Sequence, residues 1–157
     1  MKKTISITLN GERRSIDVSP SDILLDVLRE KLGIKSPKIG CERGDCGVCT
    51  ILYDGKTVRS CLILAIEADG HEITTVEGLG RDGLTPLQHA FVDRNAFQCG
   101  FCASGMVLAA TELLRHNSHP DKKEIQEAIS GNLCRCTGYE PIIEAVREVS
   151  RKAGKRS

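Results

Sequence analysis

The sequence predicts an α+β fold in two parts, with strands around one helix in the first half and helices throughout the second. Period-two alternation of apolar residues and two Asn/Asp-Gly hairpin signals fall in residues 1–77. Capped stretches with helical spacing of apolar residues fill residues 85–157, which leaves 78–84 as a linker. The eight cysteines divide four and four between the same two parts.

Taken in order, Ile5, Ile7 and Leu9 alternate into Asn10-Gly11, a type I′ hairpin signal, and Ile16 and Val18 resume on the return strand. Ser19-Pro20-Ser21-Asp22 combines an N-cap, a proline at the first helical position and an acid at the third. Leu24, Leu28 and Leu32, with Val27 beside them, continue that helix until Gly33 stops it. A second hairpin turns at Asp54-Gly55 between residues 50–53 and 57–58, and a last strand covers 72–76. Hairpin, crossing helix, loop, hairpin and final strand predict a β-grasp domain.

In the second half, Thr85-Pro86-Leu87-Gln88 has the form of a capping box. Apolar stripes follow at Met106, Ala110, Leu113 and Leu114, then at Ile125, Ala128 and Ile129 with Gly131 as C-cap. Ile142, Val146 and Val149 make the last stripe behind Pro141. Four helices with short connections predict an all-α four-helix bundle. Two domains of about 75–80 residues bury little apolar surface each, so a cross-link at the cysteines is expected to supplement the cores.

Composition excludes several function classes. Lys and Arg number 22 against 21 Asp and Glu, and aromatics are only 3%, so no nucleic-acid footprint is expected. The basic end (Arg147, Arg151, Lys152, Lys155, Arg156) reads as a solvated helix terminus. No signal-peptide core and no apolar run of about 18 residues is present, so neither secretion nor a membrane span is expected. A cytoplasmic chain keeps its thiols reduced, which directs the cysteines to metal rather than to four disulfides.

Cys41, Cys46 and Cys49 form C-x4-C-x2-C, with Cys61 following, and this is plant-type [2Fe–2S] spacing. Gly40, Gly44 and Gly47 allow the loop to curl through positive φ and leave backbone N–H groups free to bond sulfur. Cys99 and Cys102 form C-x2-C, and Cys134 and Cys136 form C-x-C, each half preceding a predicted helix. Two helix N-termini near one centre would stabilise its negative charge. Structural zinc is the alternative for this second set. Gly78 to Gly83 matches G-x-G-x-x-G, but no parallel strand follows, and the helix begins too late to receive a pyrophosphate. The four histidines (His71, His89, His116, His119) have no ligand spacing, and no hydrolytic or acid–base constellation is present.

Residues 40–50 (GCERGDCGVCT), 60–62 (SCL), 98–102 (QCGFC) with Gly105 and Met106, and 131–139 (GNLCRCTGY) resemble the iron–sulfur subunit of molybdenum hydroxylases. This is the xanthine dehydrogenase, aldehyde oxidoreductase and carbon monoxide dehydrogenase family. The resemblance implies two [2Fe–2S] clusters here, with the molybdenum–pterin cofactor on a large partner subunit and FAD on a medium one, in a heterotrimer or dimer of heterotrimers. It also implies that the helical-domain cluster lies beside the pterin, with Gln98 and Cys136 contacting it across the subunit boundary. The N-terminal cluster then lies further along the route to FAD. Electrons would pass one at a time from molybdenum to flavin, and no residue of this chain would touch substrate. A free-standing ferredoxin and a zinc-stabilised interaction module are the competing readings. The whole second half and the near-neutral charge oppose the first of them.

Overall fold

The computed structural model describes residues 1–153. Strands β1 (Lys3–Leu9) and β2 (Glu12–Val18) form the first hairpin. Asn10 (φ 51°) and Gly11 (φ 80°) both take left-handed backbone, as a type I′ turn requires. The register sets Ile5 opposite Ile16 and buries the alternating Ile5, Ile7 and Leu9.

The helix after β2 starts later than its capping signal predicts. Asp22 accepts from the Ser19 N–H at 3.0 Å and donates its own N–H to the Ser19 carbonyl, closing a turn instead of a cap. Ile23 is then held extended by bridging Leu64, with Leu24 N–H bonded to the Ile63 carbonyl at 2.8 Å. This tertiary pairing outcompetes the local signal, and α1 spans only Leu24–Asp26 before widening into a π-helical turn, Val27–Lys31. Leu24 and Leu28 are nonetheless fully buried, and Gly33 ends the helix at φ 71°.

Strands β3 (Thr50–Tyr53) and β4 (Lys56–Arg59) flank Asp54-Gly55, again with both turn residues left-handed. Two 3₁₀ turns, Ser60–Leu62 and Ala65–Ala68, lead to β5 (Glu72–Thr74). The mixed sheet has the order β2-β1-β5-β3-β4, parallel only between β1 and β5. β5 ends before residue 76 because Asn10 captures Thr75, accepting its N–H at 2.8 Å and donating to its hydroxyl at 3.0 Å. A short helix, α2 (Val76–Leu79), follows, so the glycine run begins inside a helical turn. A Cβ on Gly78 would collide with the Asn10 side chain.

Helices α3 (Pro86–Asp93), α4 (Ala103–His116), α5 (Lys122–Ile129) and α6 (Glu140–Ala153) make up the rest. The Thr85/Gln88 capping box is present, and Asp121 with Glu124 forms a second one on α5. Phe91, Met106, Ile125, Ile142 and Val146 centre a core separate from that of the sheet. Gly131 is not a left-handed C-cap: it is absent from the positive-φ residues, and Ser130 closes α5 in right-handed conformation. Gly131 is small for another reason, since a Cβ there would strike the Arg59 guanidinium. On the basic end, Arg147 pairs with Glu144 and Lys152 with Glu148, while Lys155 and Arg156 lie outside the described residues. Among the described residues no helix is long and apolar enough to cross a membrane.

The halves meet where α4 lies on β3 and β4. Thr57 N–H donates to Glu112 at 2.8 Å, and the Ser104 hydroxyl donates to the Ser36 carbonyl at 2.8 Å.

Candidate metal centres

The first cysteine loop is pinched at its neck, where Lys38 N–H donates to the Val48 carbonyl at 2.9 Å. Within it, Glu42 (φ 53°), Gly44 (φ 88°) and Gly47 (φ 76°) take left-handed backbone and curl the chain. Gly40 does not, contrary to expectation. Its Cβ would lie 2.9 Å from Cys46 Sγ and 2.8 Å from Val48 Cγ2, so close approach explains this glycine. The donors to Cys41 Sγ include the N–H groups of Asp45 (3.2 Å) and Cys46 (3.4 Å), while the Gly44 N–H serves Cys61. Cys61 arrives in the turn after β4, where the Ser60 hydroxyl donates to the Cys49 carbonyl at 2.7 Å and sets it beside Cys49. Leu25 of α1 packs on both thiols.

The second set joins two loops. Cys99 and Cys102 lie between α3 and α4, with Gly100 at φ 77° between them and Cys102 at the start of α4. Cys134 and Cys136 lie between α5 and α6. The Tyr139 hydroxyl accepts from Cys134 N–H at 2.9 Å, and Thr137 holds the Cys134 sulfur through its hydroxyl (3.1 Å) and N–H (3.4 Å).

All eight cysteines are free thiols, and they gather in pairs. Cys99 and Cys136 Sγ are 3.7 Å apart. Cys41 with Cys46, Cys49 with Cys61, and Cys102 with Cys134 are also close enough for one thiol to shift the acidity of the other. Among the described residues no three Cys, His, Asp or Glu side chains converge as a single-ion site. Two pairs per set, soft sulfur donors throughout, and a Gly40 that leaves room at Cys46 fit a centre with two bridged irons, each taking two thiolates.

Electrostatics differ within the sets. Backbone N–H groups of Arg43, Cys46 and Asp45 bring the Cys41 thiol down to about 6. Burial and then contact with Cys49 push Cys61 up to about 11. Burial and then contact with Cys134 push Cys102 up to about 12. Burial raises Cys134, but the Thr137 hydroxyl and N–H outweigh it and the net shift is downward. Buried thiols of this kind ionise when a metal cation supplies the compensating charge.

Gln98 and Cys136, predicted to share a contact, are together at the surface: Gln98 Nε2 donates to the Cys136 carbonyl at 3.0 Å, and both residues are exposed. The cysteine sets are also joined, because Leu133 N–H donates to the Cys46 carbonyl at 2.9 Å. Beneath this bond lies a network that sequence reasoning missed. Arg59 donates to Thr50 Oγ1 at 2.7 Å and to the Gly131 carbonyl at 2.5 Å, while Thr50 Oγ1 lies 3.1 Å from Asn132 Oδ1. Asn132 sits within a recognised cysteine run, but nothing in the sequence pairs it with Arg59.

A family described as "2Fe-2S iron-sulfur cluster binding domain" matches residues 7–78, and one described as "[2Fe-2S] binding domain" matches 75–147. The chain is 50% identical over 153 residues to the nicotine 6-hydroxylase small subunit of Paenarthrobacter nicotinovorans, covering 98% of this chain and 93% of that one. It is also 50% identical over 147 residues to the nicotinate dehydrogenase small FeS subunit of Eubacterium barkeri, covering 93% and 94%. A crystal structure of quinoline 2-oxidoreductase from Pseudomonas putida 86 superposes with a TM-score of 0.94 at 48% identity, covering 99% of this chain and 98% of that one. The chain therefore belongs to the iron–sulfur electron-transfer subunits of molybdenum hydroxylases, which use two 2Fe-2S clusters with the molybdenum–pterin cofactor and FAD on partner subunits.

Proposed function

We propose that Cys41, Cys46, Cys49 and Cys61 hold one [2Fe–2S] cluster and that Cys99, Cys102, Cys134 and Cys136 hold the other. The pairing of the eight sulfurs supports this reading, since two thiolates per iron need such pairs and a single tetrahedral zinc does not. Each cluster, when bound, accepts and releases one electron. The chain's own residues order the route. The exposed pair Cys99 and Cys136, beside Gln98, faces the molybdenum–pterin subunit. The Leu133–Cys46 hydrogen bond connects the second set to the first, and the first set leads toward FAD.

The β-grasp domain is assigned to 1–77 and the four-helix bundle to 85–157, joined by 78–84, whose first two residues finish α2. A large molybdenum subunit and a medium FAD subunit complete a cytoplasmic heterotrimer or dimer of heterotrimers. Phe97, Phe101 and Leu133, all exposed beside the second cysteine set, suit burial against the first of these partners. A lone ferredoxin has no use for that apolar rim.

The order of centres is testable by EPR on the intact complex partly reduced with dithionite. The Mo(V) signal is expected to be split by the cluster whose signal Cys136→Ser alters or removes. Splitting by the cluster that Cys41→Ser affects would reverse the assigned order.

A further inference from the structure

Lys38 lies between the two cysteine sets and is a ligand in neither. Its backbone pinches the neck of the first loop, but its side chain crosses to the other half of the molecule. Lys38 Nζ stands 5.6 Å from the centre of the Phe101 ring, within the Cys99–Cys102 loop, and 3.5 Å from Ser104 Oγ. It donates to the Ser36 carbonyl at 3.2 Å, a carbonyl that already accepts from Ser104.

The ammonium is partly buried, and among the described residues no carboxylate forms a salt bridge with it. Burial is the largest influence pulling its pKa down, and Arg29 acts the same way, whereas Glu77, Cys102 and Cys99 favour the charged form. A desolvated cation without an ion pair is costly, and a neutral donor could bridge Ser36 and Ser104 at lower cost. Glu77, hydrogen-bonded to Ser36, supplies part of the opposing negative charge, and the thiolates of Cys102 and Cys99 in the second set add to it.

We propose that Lys38 tunes the cluster held by Cys99, Cys102, Cys134 and Cys136, its ammonium favouring the more negative, reduced state and so raising that cluster's reduction potential. The inference rests on the cluster assignment proposed above. Reduction adds one negative charge, and a nearby cation in a partly buried setting stabilises the added charge more than water-screened surface charges do. The N-terminal half thus sets the electron affinity of the centre in the C-terminal half.

The test is a redox titration of the intact complex followed by EPR, with the C-terminal cluster identified as the signal that Cys136→Ser alters or removes. Lys38→Gln keeps a donor for Ser36 and Ser104 without the charge, Lys38→Met removes both, and Lys38→Arg keeps the charge. Either neutral variant is expected to lower the midpoint potential of the C-terminal cluster and to move the other cluster less. Lys38→Arg is expected to retain the wild-type potential. An unmoved C-terminal potential, an equal shift of both clusters, or a Lys38→Arg shift as large as that of Lys38→Gln would overturn the inference. Iron and sulfide content is read separately. Full content with an unmoved potential defeats the role of Lys38 alone, whereas missing clusters in the wild type defeat the assignment beneath it.

Discussion

Cys134→Ser is expected to remove the C-terminal cluster while sparing the N-terminal one, so that iron falls from about four to about two per chain. Cys134 is held on its own loop, bonded by Thr137 and, through its backbone, by Tyr139. It also follows Leu133, whose N–H reaches the Cys46 carbonyl at 2.9 Å, so the centre it would hold lies at the junction between the two sets. Flavin reduction by any substrate that the native complex oxidises should then fall to the level seen without this chain. The N-terminal EPR signal should persist, because Cys49 and Cys61 are set by Ser60 and Leu25 and Cys41 by N–H groups of its own loop. Flavin reduction at the wild-type rate would remove this chain from the route.

Gly47→Ala has the largest expected effect on stability. At φ 76° the added Cβ carries roughly 1 kcal/mol of backbone strain. It would also press on the Gly131 carbonyl and on Asn132, while the Gly47 carbonyl leaves no room for a Cβ on Gly105 of α4. Overpacking of this kind costs about 1–3 kcal/mol. Together these amount to about 2–4 kcal/mol, a fall of roughly 4–16 °C in the unfolding midpoint followed through cluster absorbance. Gly55→Ala is the control, since Gly55 has φ 83° but nothing within 4 Å of its would-be Cβ. Equal losses in the two variants would mean that the halves are not interlocked at Gly47.

These two sites mark the border of what was legible in the sequence. The hairpins at Asn10-Gly11 and Asp54-Gly55 could be read because a type I′ turn is specified by adjacent residues. The cysteine sets could be read because ligand spacing is local within each loop, and the capping box at Thr85 is equally local. The start of α1 could not, because Ile23 is claimed by Leu64 across the fold. Gly131 read as a helix stop, yet its size serves Arg59, 72 residues away in sequence. Lys38 sits three residues before Cys41 and gave no signal, since its partner Phe101 belongs to the other half. Contacts between the halves were the part that local pattern could not supply.

The central claim is that this chain carries two [2Fe–2S] centres, one per cysteine set. Quantifying iron, acid-labile sulfide and zinc in the purified complex, with EPR spin integration after dithionite reduction, tests it most directly. About four irons and four sulfides per chain, no stoichiometric zinc, and two spins from two distinct signals are expected. Zinc in either set, or a single spin with about two irons, would contradict it.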